Sequence, residues 1–175
     1  MTIFEDTRNP IEKHLNIHNY CDTNGIKIER TKLFVGDYTL PTNQAVCIDT
    51  KKDLQEVYGN VIQAHARFKA EILRASSARI RLIILVEQSK IQSLADVANW
   101  KNPRAIKWHK IFNAQKSGKM MNFKISSSPP ASSPKLASVM NSLSERYGVE
   151  WKFCDKSETG KRIVEILGGC TEVEQ

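Results

Sequence analysis

No apolar run in this chain of 175 residues approaches the roughly 20 residues that a helix needs to cross a bilayer. The longest, Leu82 to Val86, is interior-strand material. The N-terminus, Met1-Thr-Ile-Phe-Glu-Asp6, lacks the basic and apolar regions of a signal peptide, so a cytoplasmic protein with no membrane partner is expected. The four cysteines, Cys21, Cys47, Cys154 and Cys170, form no CxxC pair and no framework spacing. That argues against a disulfide scaffold and for a reduced compartment. Cys47 and Cys154 sit in apolar runs and read as small buried hydrophobes. No internal repeat is visible. What the chain does have is an ordinary balance, 41 % hydrophobic and 26 % charged, which excludes wholesale disorder. Lys plus Arg number 26 against 19 for Asp plus Glu, a net charge of +7 that permits an anionic partner such as nucleic acid.

Helix and strand patterns interleave throughout, which predicts an α/β protein with a mixed sheet. Pro10 in a first turn, with Asn9 as cap, opens a helix whose apolar face is Ile11, Leu15 and Tyr20 and which stops at Asn24-Gly25. Short β-branched runs follow at 27–30, 32–35 and 45–48, the last two separated by Gly36-Asp37 and a turn at 41–44. Asp53 caps a helix carrying Val57, Val61 and Ile62, and a second helix covers about 65–75. The run 79–87, RIRLIILVE, is the strongest strand, its continuous apolar character marking a strand covered on both faces. Ser93 caps a short helix. Residues 103–115 suggest another, with Ile106, Ile111 and Phe112 inward. The Ser/Pro-rich stretch 126–134 reads as an exposed loop, followed by a helix on Leu136, Val139, Met140 and Leu143, a strand at 149–154 and a last helix at 158–167.

The chemistry concentrates in Val35-Gly36-Asp37-Tyr38 and Cys47-Ile48-Asp49-Thr50-Lys51. Asp37 opens one strand and Asp49 ends the next, so both reach one end of a sheet. Asp49 and Lys51, two apart on a strand, share a face. Two carboxylates and an ammonium at one point suit metal-assisted phosphodiester cleavage, with hard oxygen donors for Mg²⁺ and a Lys to meet phosphate or orient water. Without a cation the two acids would repel each other and one would tend to protonate.

The motif order resembles the XPF-type nuclease domain of the PD-(D/E)XK, restriction-endonuclease-like superfamily. It runs Asp6-Thr7-Arg8, Val35-Gly36-Asp37-Tyr38, Asp49-Thr50-Lys51, Asp53-Leu54, His65-Ala66-Arg67-Phe68 and Leu85-Val86-Glu87. The resemblance implies one domain over 1–175, with a central mixed β-sheet flanked by helices. It implies a DNA endonuclease dependent on Mg²⁺, with Mn²⁺ substituting, that selects branched or flap DNA in repair or recombination. Asp37, Asp49 and Asp6 are then the metal ligands and Lys51 the catalytic lysine, with Asp37 and Asp49 counted in the catalytic set. Arg8, Arg67 and Lys52 contact the nucleic acid, and Glu87 and Asp53 are further candidates, Asp53 with helix capping as its competing role. Tyr38 is taken as a packing residue, and pairing of two copies through the domain follows from the same resemblance.

The chain departs from the pattern at Asp49 for Glu, Thr50 for Arg and Asn9 for Glu, none of which deletes a ligand. The length leaves no room for the helix-hairpin-helix module or helicase of larger members, which suggests a short phage or mobile-element form. A non-catalytic DNA-binding module, and a nuclease acting on RNA or in the manner of a restriction enzyme, stand as alternatives. His14, His18 and Cys21 have a spacing compatible with metal, but no fourth ligand matches, so ordinary half-buried histidines are expected. For Lys101, Arg104, Lys107, Lys110, Lys116 and Lys119, interleaved with Trp100, Trp108 and Phe112, a DNA-facing surface and a solvated helix face are equally compatible.

Overall fold

The computed structural model describes residues 1–63, 65–119 and 124–169. Six strands form one sheet: β1 (Thr2–Asp6), β2 (Lys27–Thr31), β3 (Tyr38–Thr39), β4 (Val46–Lys51), β5 (Arg81–Glu87) and β6 (Glu150–Cys154), in the order β2-β1-β3-β4-β5-β6. β3 is antiparallel to both neighbours, and the remaining pairs are parallel. Five strands therefore run one way and the two-residue β3 runs against them. The C-terminal ends of β1, β4 and β5 and the start of β3 consequently share one rim. In open α/β sheets that rim is where ligands gather.

The sheet is covered on both faces. Leu82, Ile84 and Val86 of β5 pack against α2 (Leu54–Tyr58), α3 (His65–Ser77) and α6 (Ser133–Tyr147), while Ile83 and Leu85 face α1 (Leu15–Thr23) and α7 (Thr159–Gly168). This two-sided burial is why β5 reads as an unbroken apolar run. The Asp53 side chain caps α2 by accepting from the Glu56 N–H at 2.8 Å, and a π-helical turn at Gly59–Gln63 leads toward α3. α4 (Leu94–Val97) carries a capping box from Ser93 and Asp96. α1 and α7 meet closely: a Cβ at Gly160 would lie 2.7 Å from the Tyr20 Cβ, so only glycine fits there. Cys21, Cys47 and Cys154 are free and buried, and Cys170 lies outside the described residues. No helix among the described residues is long and apolar enough to cross a membrane.

Four expectations change. The first helix begins later, as a 3-10 turn at Ile11–Lys13 followed by α1, and it buries His14, Ile17 and Cys21 while Ile11 and Leu15 face solvent. His14 turns inward because its ring has a buried hydrogen-bonding partner in Tyr38, and that fixes the helix rotation. Residues 32–35 alternate in burial, with Leu33 and Val35 inside and Phe34 exposed, yet form no ladder. That stretch crosses from edge strand β2 to β3 instead. α5 (Pro103–Lys116) buries no residue, so Ile106, Ile111 and Phe112 do not form a core face. Ser133 and Pro134 belong to the first turn of α6, where the Ser132 hydroxyl accepts from the Lys135 N–H at 3.4 Å.

Candidate active site

The site begins with Gly36. Its φ of +73° is left-handed, and a Cβ there would sit 2.9 Å from the Ile48 carbonyl oxygen. Only glycine combines that backbone with such a close approach. The turn delivers Asp37 between two strands. Its N–H donates to the Ile48 carbonyl at 2.7 Å, and its carbonyl accepts from the Asp6 N–H at 2.9 Å. The Asp37 carboxylate then takes over as acceptor where the β3–β4 ladder ends. Its Oδ2 accepts from the Thr50 N–H at 2.8 Å and from the Thr50 hydroxyl at 2.6 Å, and its Oδ1 accepts from Asn9 Nδ2 at 2.9 Å. Three donors hold one carboxylate in a single orientation.

Asp49 and Lys51 leave β4 on the face covered by α2, α3 and α6. Both are buried, at 4 % and 8 % exposure, and Lys51 Nζ lies 2.5 Å from Asp49 Oδ2. Beyond that ion pair, this oxygen has no hydrogen-bond partner. Lys51 Nζ also lies 5.7 Å from the centroid of the Phe68 ring on α3. Burial pushes the Asp49 carboxyl above the usual carboxylate range; Lys51 pulls it down, while Asp37 and Glu71 add to the rise. Burial works against the Lys51 charge, but Asp49 and Asp37 outweigh it, so the ammonium is held above its ordinary value.

Glu71 was not singled out in the sequence. It sits on α3 between Phe68 and Ile72, its Oε1 accepts from the Gly36 N–H at 3.3 Å, and its charge acts on Asp49. Its trace in the sequence is an acid flanking the buried stripe Phe68, Ile72 and Ala75. A second buried cluster, also unforeseen, lies on the α1 side. Glu5 is fully buried and accepts from the Tyr38 hydroxyl at 2.9 Å, pairs with Arg30 Nε at 3.0 Å and meets His18 Nε2 at 3.1 Å. Burial, then Glu5, hold the Tyr38 phenol protonated well above its ordinary range. Tyr38 thus fastens β3 to β1 and α1 directly beside Asp37.

The remaining anticipated residues divide. Asp6 ends β1 at the same rim, but its carboxylate is taken by Arg8. It accepts the Arg8 N–H at 2.7 Å and Arg8 Nε at 2.9 Å, and it pairs with the guanidinium. Burial acts against the Asp6 charge, but the Arg8 bonds outweigh it and lower the carboxyl. Among the described residues no three His, Cys, Asp or Glu side chains gather as a metal cluster. His14 and His18 bond to Tyr38 and Glu5, and burial pushes the Cys21 thiol up to about 11. Arg67 and Lys52 are exposed. Asp53 is occupied as the α2 cap. Glu87 ends β5 with the parity of Ile83 and Leu85, so it lies on the α7 side and accepts from the Thr159 hydroxyl at 2.8 Å. A cleft of about 600 Å³ near Thr2 and Thr42 is at the opposite rim and takes no part.

A model of the ERCC4 domain matches residues 6–166, from the end of β1 to the last helix. The chain belongs to the ERCC4-domain family. Among solved structures, this ERCC4 domain is similar to XPF from Aeropyrum pernix, with a TM-score of 0.59 and 15 % identity. It is equally similar to an XPF from Aeropyrum pernix in complex with DNA, with a TM-score of 0.59 and 14 % identity. Both matches cover 99 % of this chain, and they cover 63 % and 68 % of the other chains. At such identities the likeness is one of fold, and it matches the mixed sheet flanked by helices. The chain spans about two thirds of the length of these XPF structures. Comparison with curated proteins gives no match.

Proposed function

We propose that this ERCC4 domain is a divalent-metal-dependent DNA endonuclease that hydrolyses phosphodiester bonds and favours branched or flap DNA. Family and fold support a nuclease acting on DNA, and the observation that carries the reading is the arrangement at the rim. Asp37, oriented by three hydrogen bonds, stands beside the buried Asp49–Lys51 pair.

The residues suit a hard cation. Three acids, Asp37, Asp49 and Glu71, act around the single ammonium of Lys51, and the neighbouring Arg8 is committed to Asp6. The Asp49 oxygen lacking a hydrogen bond is the kind of donor a magnesium or manganese ion takes. Asp37 and Asp49 would hold the ion, which when bound neutralises charge on the phosphate and eases deprotonation of water. The chain supplies the rest. Thr50 and Asn9 keep the Asp37 carboxylate from turning. Lys51, kept protonated by two carboxylates, offers a positive charge to a phosphate oxygen or to the attacking water. Burial around Phe68 removes competing water, which strengthens each of these interactions. Arg67 and Lys52, both exposed, hold the DNA backbone, and two copies pair through the domain.

The test incubates the protein with flap, fork, Holliday and linear DNA in Mg²⁺ or Mn²⁺, beside Asp37→Ala and Lys51→Ala. Cutting by the native chain, with a loss of about 100-fold or more in both variants, is the expected result. DNA binding without cutting would make the domain a non-catalytic module. Equal cutting by the variants would move the chemistry elsewhere.

A further inference from the structure

We propose that α5 and the basic segment around it form a second contact surface for DNA, separate from the rim, that grips a single-stranded arm of the substrate. This rests on the reading of the domain as a DNA nuclease and adds where the substrate lies.

The first observation is the placement of charge. Between Asp96 and Glu145 the chain has eight Lys and Arg and no Asp or Glu, which leaves 18 basic against 19 acidic residues elsewhere. The whole positive excess of the molecule belongs to this one stretch. A solvated helix face ordinarily mixes both signs, as α7 does with its Lys161 and Arg162 paired to Glu165. α5 has no acid with which to do so.

The second observation is what α5 shows to solvent. It is a 14-residue helix with no buried side chain. Lys107, Lys110 and Lys116 are exposed, and among them stand Ile106 at 55 % and Phe112 at 42 % exposure. The Trp108 ring stacks on Phe112, with centroids 4.7 Å apart and planes inclined by 13°. Phosphates need only the cations. An exposed aromatic stack offers in addition a flat apolar face to an unpaired base, and a duplex has none to give.

The third observation is location. Arg104 ties α5 to the turn before α3, donating to Gln63 Oε1 at 2.6 Å and lying 5.5 Å from the centre of the Tyr58 ring. α3 carries the Phe68 ring beside Lys51, so α5 is on the site's face of the sheet. Charge complementarity and the stack together select single-stranded DNA as the occupant.

The experiment measures binding of a labelled 20-nucleotide oligo-dT, a matching duplex and oligo-rU by fluorescence anisotropy in EDTA, across salt concentrations. It compares the native chain with Lys107→Ala/Lys110→Ala/Lys116→Ala, the corresponding triple Arg variant and Phe112→Ala. The triple Ala variant should bind oligo-dT at least about 10-fold more weakly, with a salt slope shallower by about 2, and the Arg variant should retain native binding. Phe112→Ala should lose about 5-fold or more on oligo-dT and little on the duplex. Native affinity and slope in the triple Ala variant would overturn the surface, and equal losses on duplex and single strand in Phe112→Ala would overturn the choice of occupant, as would tighter binding of oligo-rU. Failure of the native chain to bind any DNA would instead sink the nuclease reading beneath it.

Discussion

Thr50→Val isolates one atom of the site. The substitution removes the hydroxyl that donates to Asp37 Oδ2 at 2.6 Å, keeps the backbone N–H that donates at 2.8 Å, and preserves the branched shape that suits β4. A hydrogen bond to a charged acceptor contributes about 1.5–3 kcal/mol when nothing replaces it. Thr50 is half-buried, so water replaces part of it, and the remaining backbone bond keeps Oδ2 satisfied. The loss in stability should fall near 1 kcal/mol. The functional effect should match or exceed it, since a carboxylate freed to turn has to be ordered again by whatever binds it. That corresponds to roughly a 5- to 10-fold weaker affinity for Mn²⁺. Urea titration reads the first quantity and isothermal titration calorimetry the second, and Thr50→Ser, which retains a hydroxyl, should restore most of the metal affinity. Native stability together with native Mn²⁺ affinity in Thr50→Val would refute the claim that this hydroxyl orients Asp37.

Gly36→Ala should destabilise by about 2 kcal/mol or more in urea unfolding, because left-handed backbone and a 2.9 Å contact with the Ile48 carbonyl both oppose a Cβ; an unchanged midpoint would contradict the packing described. Tyr38→Phe leaves buried Glu5 one donor short and should cost about 1–3 kcal/mol, read by thermal melting, with native stability as the contrary result. Hydrogen bonding from Arg81 holds Glu150 below its ordinary 4.5. That pair stabilises the fold above about pH 4.5 and loses its effect as pH falls through the lower folded value, so Glu150→Gln should narrow the stability difference between pH 7 and pH 3. Both side chains are substantially exposed, which keeps the effect within about 1 kcal/mol. An unaltered pH dependence in the Gln variant would show that the pair contributes nothing.

The elements that read clearly in the sequence are those whose local preference and tertiary role agree. β5 is apolar on both faces because helices cover both, and Gly36-Asp37 reads as a break because the chain turns there, with a left-handed φ at Gly36. Asp53 is legible as a cap because its partner is only three residues away. Elsewhere the deciding partner is distant. His14 faces inward for a tyrosine 24 residues on, which rotated α1 away from the apolar face that spacing suggested. Glu71 and Glu5 look like solvated acids until the fold brings Gly36 to one and Tyr38, Arg30 and His18 to the other. The Asp6–Arg8 pair was legible as a motif, and its partner is only two residues away. α5 misled for the opposite reason: apolar residues at helical spacing look like a core face even when nothing covers them.

Because β3 runs against its neighbours and is only two residues long, its two ends face very different demands. The incoming end is pinned between Asp6 and Ile48, while the outgoing end opens into the turn at 41–45 on the far edge of the sheet. Foreign residues spliced into that turn, such as a fluorophore tag or a peptide epitope, would hang at the rim opposite Asp37. The same insertion at 32–36 would drag the carboxylate out of place.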